Sequence, residues 1–143
     1  VVGIEIVALN VENIDLLNQF LSNAGSSLQT FRYFQKRSIN TIQNHLITYV
    51  LKENEQVIGY GHLEREDNKV WLGISLIESA KGKGFGLMMM NSLIEAARKM
   101  DIPLLYLSVD KINLAAINLY KKVGFTEHED LNEHVLLMEL RLV

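Results

Sequence analysis

The residues best suited to chemistry lie in Lys81-Gly82-Lys83-Gly84-Phe85-Gly86-Leu87. There three alternating glycines follow an apolar strand-like run and lead into an apolar, helix-spaced one. A helix start offers unpaired N–H groups and the positive end of the helix dipole. Glycine lets a ligand approach the backbone closely. Together they make an anion site, most naturally for phosphates, and Lys81 and Lys83 add charge. Two familiar phosphate motifs do not fit. The P-loop requires Ser or Thr after its Gly-Lys pair, and Gly82-Lys83 is followed by Gly84. The dinucleotide fingerprint requires a glycine where Leu87 stands. A glycine-rich turn that merely joins strand to helix is the plain alternative.

Other reactive groups are sparse. Cysteine is absent, which removes disulfides, thiolate metal sites and a cysteine nucleophile. His45, His128 and His134 have no metal-ligand spacing, and no metal is expected. His62 and Glu64 are alternate residues on one face of the segment Val57 to Leu63 and its end. Between Ser26 and Ile39, Phe31, Tyr33 and Phe34 interleave with Arg32, Lys36 and Arg37. Phe31 and Phe34 fit the buried stripe of a short amphipathic helix. Arg32 or Tyr33 could contact a polar or anionic acceptor, such as a sugar or a carboxylate. Met88-Met89-Met90 is most simply helix packing.

The elements that must position these groups follow from pattern. Gly3 to Leu9 alternates as a strand. Asn10 or Asn13 caps a helix through Leu21, with Ile14, Leu17 and Leu21 on one stripe. Ser26 or Ser27 caps a short second helix. His45 to Leu51 and Val57 to Leu63 form a hairpin around Glu53-Asn54-Glu55-Gln56. Val70 to Ile77 is a third strand of this meander. A helix runs from the glycine stretch to about Met100, with Leu87, Met90, Leu93, Ile94 and Ala97 at helical spacing, and Pro103 follows it. Leu104 to Val109 is continuously apolar, as in a central strand buried on both faces. Asn113 to Val123 is helical, ends at Gly124 and carries Lys121 and Lys122 in its last turn. Two strands close the chain, near Phe125-Thr126-Glu127 and at Val135 to Leu142. A meander joined to one strand-helix-strand crossover implies a mixed α/β sheet covered by helices.

The 143 residues suit one domain, 1–143, with a sizeable core. At 48% apolar and 22% charged residues, the composition is that of a folded soluble domain. The net charge of -3 argues against a nucleic-acid partner. No apolar run approaches the ~20 residues of a membrane span, so no membrane association is expected. The opening VVGIEIVALNVEN lacks a basic region and is a poor signal peptide. The missing initiator methionine suggests processing or trimming. A cytoplasmic monomer or homodimer is the expectation.

Two motifs now combine. Lys81-Gly82-Lys83-Gly84-Phe85-Gly86 has the form [Q/R/K]-x-x-G-x-G, and Asn113 to Phe125 has the form N-x-x-A-x-x-x-Y-x-x-x-G-F. Over roughly Gln56 to Leu142 the chain resembles the GNAT superfamily of acetyl-CoA-dependent N-acetyltransferases. Lys81 stands where that family usually has Gln or Arg. The resemblance implies a mostly antiparallel central sheet with a splayed parallel strand pair and helices on both faces. It implies that the N–H groups of Gly82 to Leu87, Phe85 among them, wrap the pyrophosphate of acetyl-CoA, with Lys81 and Lys83 assisting. It implies that the strand at Ile74-Ser75-Leu76 pairs with the pantetheine arm and supplies an N–H to the thioester oxygen. Tyr120 is then the general acid that protonates the leaving thiolate. Asn113, seven residues earlier and roughly 10 Å away along the helix, touches the pantetheine, caps the helix, or does both. Many relatives carry a basic glutamate on a central strand, and the matching positions here are Val70 and Ser108. His62 is the candidate replacement base, and Glu64 with Arg32 and Tyr33 the candidate acceptor contacts. The expected reaction moves an acetyl group to a primary amine, on a small molecule such as an amino sugar or on a protein amine. A non-catalytic acyl-CoA-binding module and a nucleotide-binding protein are the rivals.

Overall fold

The structure is a computed structural model that describes residues 3–143. Val1 and Val2, the start of the stretch read as a poor signal peptide, lie outside the described residues. Seven strands form one sheet in the order β1-β2-β3-β4-β5-β7-β6. They are β1 (Ile4–Ala8), β2 (Ile47–Glu53), β3 (Gln56–Glu66), β4 (Lys69–Leu76), β5 (Leu104–Asp110), β6 (Thr126–Asp130) and β7 (Val135–Arg141). The α-helices are α1 (Asp15–Asn23), α2 (Phe85–Lys99) and α3 (Leu114–Lys122).

The pleat of β3 assigns the helices to the two faces. Gly61 leaves room for α2: a methyl group placed there would lie 2.8 Å from the Met89 sulfur and 2.9 Å from Leu93. Its neighbour Tyr60 points the other way and stacks on Phe20 of α1 at 5.9 Å. Met89, Met90, Leu93 and Ala97 form the wholly buried stripe of α2, as helical spacing predicts.

All strand pairs are antiparallel except β4 with β5. That parallel pair is short, with only Val70 opposite Leu105 and Trp71 opposite Tyr106. Beyond Leu72 the two strands separate, and their unpaired edges face a common gap. The mixed sheet with one splayed parallel pair and helices on both faces agrees with expectation.

Four local expectations require correction. Helix α1 has Ile14 at its N-cap and no side-chain cap. Asn10 and Asn13 instead bond one another's backbone in the turn before it, where Asn10 Oδ1 accepts from Asn13 N at 3.2 Å and Asn13 Oδ1 from Asn10 N at 2.7 Å. The second helix is not an α-helix. Residues Gly25–Gln29, Tyr33–Gln35 and Ile39–Asn44 form short 3-10 turns. Ser26 and Ser27 do not cap it, because their hydroxyls reach across to β4 and the turn after it. Strand β5 is not buried on both faces: Leu105, Leu107 and Val109 are buried, but Ser108 is exposed. Its exposed side faces the gap rather than a helix.

Candidate active site

A cavity of about 1020 Å³ follows the gap between β4 and β5. At one end it opens over the glycine turn, and at the other over Tyr33, His62 and Glu64. Tyr120 of α3 lines it as well.

At the turn, Gly82 and Gly84 adopt φ of +76° and +86°, a region that side chains with a Cβ disfavour. No atom lies within 4 Å of where a Cβ would sit on either. The bare backbone therefore forms an open cradle at the N-terminus of α2, which fits an anionic group. Gly86 serves packing: a methyl group there would lie 3.0 Å from Leu119 of α3. The flanking side chains divide. Leu87 lines the cavity and Lys81 lies at its edge, whereas Lys83 and Phe85 are not among its walls. Phe85 is buried in the core, so only its backbone can serve a phosphate. Lys81 pairs with Glu78 at 3.1 Å. The Ser26 hydroxyl donates to the same carboxylate at 2.8 Å, and with Lys81 it holds the Glu78 carboxyl below its usual range.

Along β4, Ile74, Ser75 and Leu76 all line the cavity. The Leu76 carbonyl is already occupied, because the Ser27 hydroxyl donates to it at 2.5 Å. An extended ligand pairing with β4 would thus use the gap-facing backbone of Ile74 and the Leu76 N–H, because the Ser75 backbone is turned to Tyr60 of β3. On α3, Asn113 lines the cavity and also caps the helix, its Oδ1 accepting from Ala116 N at 3.3 Å. Tyr120, seven residues later, is buried, and burial raises its phenol well above the usual tyrosine value. It stays protonated at neutral pH, as a proton donor must.

At the far end, Trp71, Glu64 and Glu66 join the wall. Tyr33 donates to or accepts from His45 Nε2 at 2.7 Å. Burial, then the neighbouring Glu64, raise its phenol above the usual tyrosine value. His62 is almost wholly buried, with Nδ1 2.6 Å from the Tyr60 hydroxyl. Burial, then the neighbouring His45, push its imidazole well below the usual histidine value. That argues against His62 as the base, since a proton acceptor this weak captures little from an ammonium ion. Arg32 is also not free for an anionic acceptor: its guanidinium grips both oxygens of Asp110 at 2.9 and 2.8 Å. Of the two positions matched to the family glutamate, Ser108 lines the cavity and Val70 is buried in the core.

Several participants carry no local sequence signal. His45 reaches the site because Thr48 pairs opposite His62 across the hairpin, and its Nδ1 lies 2.8 Å from Thr48 Oγ1. Trp71 could have been found from register alone, since it stands opposite Glu64. Asp110 and Ser27 act through partners 78 and 49 residues distant.

Comparison with known proteins accords with this geometry. The chain is 39% identical over 83 residues to a spermine/spermidine N(1)-acetyltransferase of Bacillus subtilis, covering 52% of this chain and 55% of that one. It is 30% identical over 95 residues to a ribosomal protein bS18 alanine N-acetyltransferase of Haemophilus influenzae, covering 63% and 64%. The matched region thus spans less than two thirds of either relative. The PaiA N-acetyltransferase of Thermoplasma acidophilum, solved with coenzyme A, shares the fold at a TM-score of 0.77 and 22% identity, over 96% of this chain and 98% of that one. The family model described as Acetyltransferase (GNAT) family matches residues 12–125, from the first turn to the glycine-phenylalanine pair after α3. The chain belongs to the GNAT acetyltransferase family.

Proposed function

We propose that this chain transfers an acetyl group from acetyl-CoA to a primary amine of a small polar molecule. The observation that carries the reading is the single cavity linking the open glycine cradle, the splayed strands, Tyr120 and a carboxylate-bearing far end. The Gly82 and Gly84 backbone would hold the pyrophosphate, and the gap-facing β4 backbone at Ile74 and Leu76 would hold the arm. When bound, acetyl-CoA supplies an activated acyl carbon. A β4 N–H would stabilise the oxygen that gains charge, typically the largest contribution in acyl transfer. Tyr120 would deliver a proton to the departing thiolate.

Glu64, Glu66 and Trp71 suit a cationic acceptor, as carboxylates pair with ammonium and an indole face attracts it. The activity for which the Bacillus relative is named supports a polyamine-like acceptor. That of the Haemophilus relative supports a second reading, a protein N-terminus. Calorimetric titration with acetyl-CoA, with ATP and NAD as controls, tests the first half. Thiol release across spermidine, an amino sugar and an alanine-terminated peptide tests the second. Selective acetyl-CoA binding with fastest turnover on spermidine or the sugar is expected. Preferential turnover of the peptide would move the acceptor to the second reading. Binding with no turnover on any amine would leave a non-catalytic acyl-CoA module.

A further inference from the structure

Behind the acceptor end, three ligand-type side chains converge. His45, His62 and Glu64 each offer one ligand atom within 4.8 Å of the other two. Strand pairing explains the meeting: His62 and Glu64 share one face of β3, and His45 lies just ahead of β2, three residues before Thr48, the partner of His62. Both imidazoles have Nδ1 engaged, His45 with the Thr48 hydroxyl at 2.8 Å and His62 with the Tyr60 hydroxyl at 2.6 Å. A second partner on the far nitrogen is the arrangement that orients a metal-binding histidine. The remaining nitrogens are Nε2, and that of His45 now meets the Tyr33 hydroxyl.

We propose that His45, His62 and Glu64 bind a divalent transition-metal ion of the zinc type, with its fourth position open to the cavity. Two imidazoles and one carboxylate with one open position is an established zinc donor set. Tetrahedral zinc at about 2.1 Å from each donor needs those donors roughly 3.4 Å apart. The cluster must close by up to about 1.4 Å, and Tyr33 must release His45. His45 and Glu64 are half-buried and can make that adjustment, while His62 is fixed. The opposing charge is Arg37, whose guanidinium lies 4.2 Å from the centre of the Tyr33 ring. His62 and Glu64 face the cavity, which provides the entry path. Metal binding stands apart from acetyl transfer. Its consequence, competition with the acceptor ammonium at Glu64, rests on the proposed function.

The test uses the full chain stripped with chelator, titrated with Zn²⁺ by calorimetry and with Co²⁺ by visible absorption. One equivalent should bind, with the absorption of a tetrahedral Co²⁺ site. His45→Gln and Glu64→Gln should each weaken binding at least ~10-fold, and Thr48→Val by about 10-fold through His45. Arg37→Gln should tighten it. Circular dichroism confirms that each variant is folded, and Glu64→Gln alone suffices if the His45 variant is not. No saturable binding would overturn the proposal. So would binding unchanged in both ligand variants, which would place the metal elsewhere, for instance at His128 and Glu139 on the surface. Zinc inhibition that a higher amine concentration relieves would support the competition, and inhibition indifferent to amine would remove it.

Discussion

At the residue scale, the role assigned to Tyr120 makes two separable demands. Its ring lies beside Phe125, 6.1 Å between centroids, and fills core space that phenylalanine would also fill. Tyr120→Phe should therefore keep the fold and the affinity for acetyl-CoA. Loss of a positioned acid typically lowers the rate ~10²- to 10⁴-fold, so kcat should fall by that order. Steady-state kinetics beside acetyl-CoA calorimetry separates the two, and unchanged turnover would remove Tyr120 as the acid. The pH dependence has a definite sign. An acid works while protonated, so activity is lost as pH rises through its pKa. Burial raises the Tyr120 phenol, so its alkaline limb should lie above the ordinary tyrosine value of about 10. A limb well below pH 10 that vanishes in Tyr120→Phe would contradict this.

At the scale of elements, the glycines do two different jobs. Gly82 and Gly84 take left-handed backbone in open space at the mouth of α2. An alanine at either should lower stability by about 1–2 kcal/mol, and its methyl group would project into the cradle. We expect acetyl-CoA affinity to drop at least ~10-fold, read by calorimetry. Gly61 instead meets Met89 and Leu93 at 2.8 and 2.9 Å. Gly61→Ala should destabilise by overpacking, about 1–3 kcal/mol, seen in denaturant unfolding, with acetyl-CoA affinity retained in the folded fraction. The contrast shows what was legible in the sequence. The α2 stripe, the hairpin and the glycine turn rest on local periodicity and turn chemistry, and all three form where expected. The cradle was legible because backbone geometry follows from glycine itself. The segment from Ser26 to Asn44 was not, because its apolar spacing mimics a helix while its aromatics pack individually on Tyr60, Phe31 at 5.3 Å and Phe34 at 5.4 Å. The exposure of Ser108 was hidden as well, since an apolar run does not reveal that its strand borders a gap.

At the scale of the whole molecule, the acceptor end exists only because the N-terminal segment is tied across the splay. Arg32 reaches Asp110 at the end of β5, while Ser27 and Ser26 reach Leu76 and Glu78 at the end of β4. One segment thus spans both banks of the gap, and nothing in either partner's neighbourhood announces the tie. The ion pair is part-exposed, so it contributes only ~1 kcal/mol or less, yet it fixes the wall that carries Tyr33. Arg32→Ala should then raise KM for the amine several-fold while leaving acetyl-CoA affinity nearly intact. Hydrogen exchange should quicken across residues 26–37 and stay unchanged in α2. The pair has its own pH signature. The Arg32 hydrogen bond holds the Asp110 carboxyl below its ordinary value. A carboxyl lowered in the folded state contributes stability that is complete above its unfolded pKa of about 3.9 and is lost as pH falls through the folded value. Asp110→Asn should flatten that part of the acid-unfolding curve, below about pH 4, and Arg32→Ala should flatten most of it, because Arg32 is the largest cause of the lowered value. If Arg32→Ala left the acid sensitivity intact, or weakened acetyl-CoA as much as the amine, the tie would not be what shapes the acceptor wall.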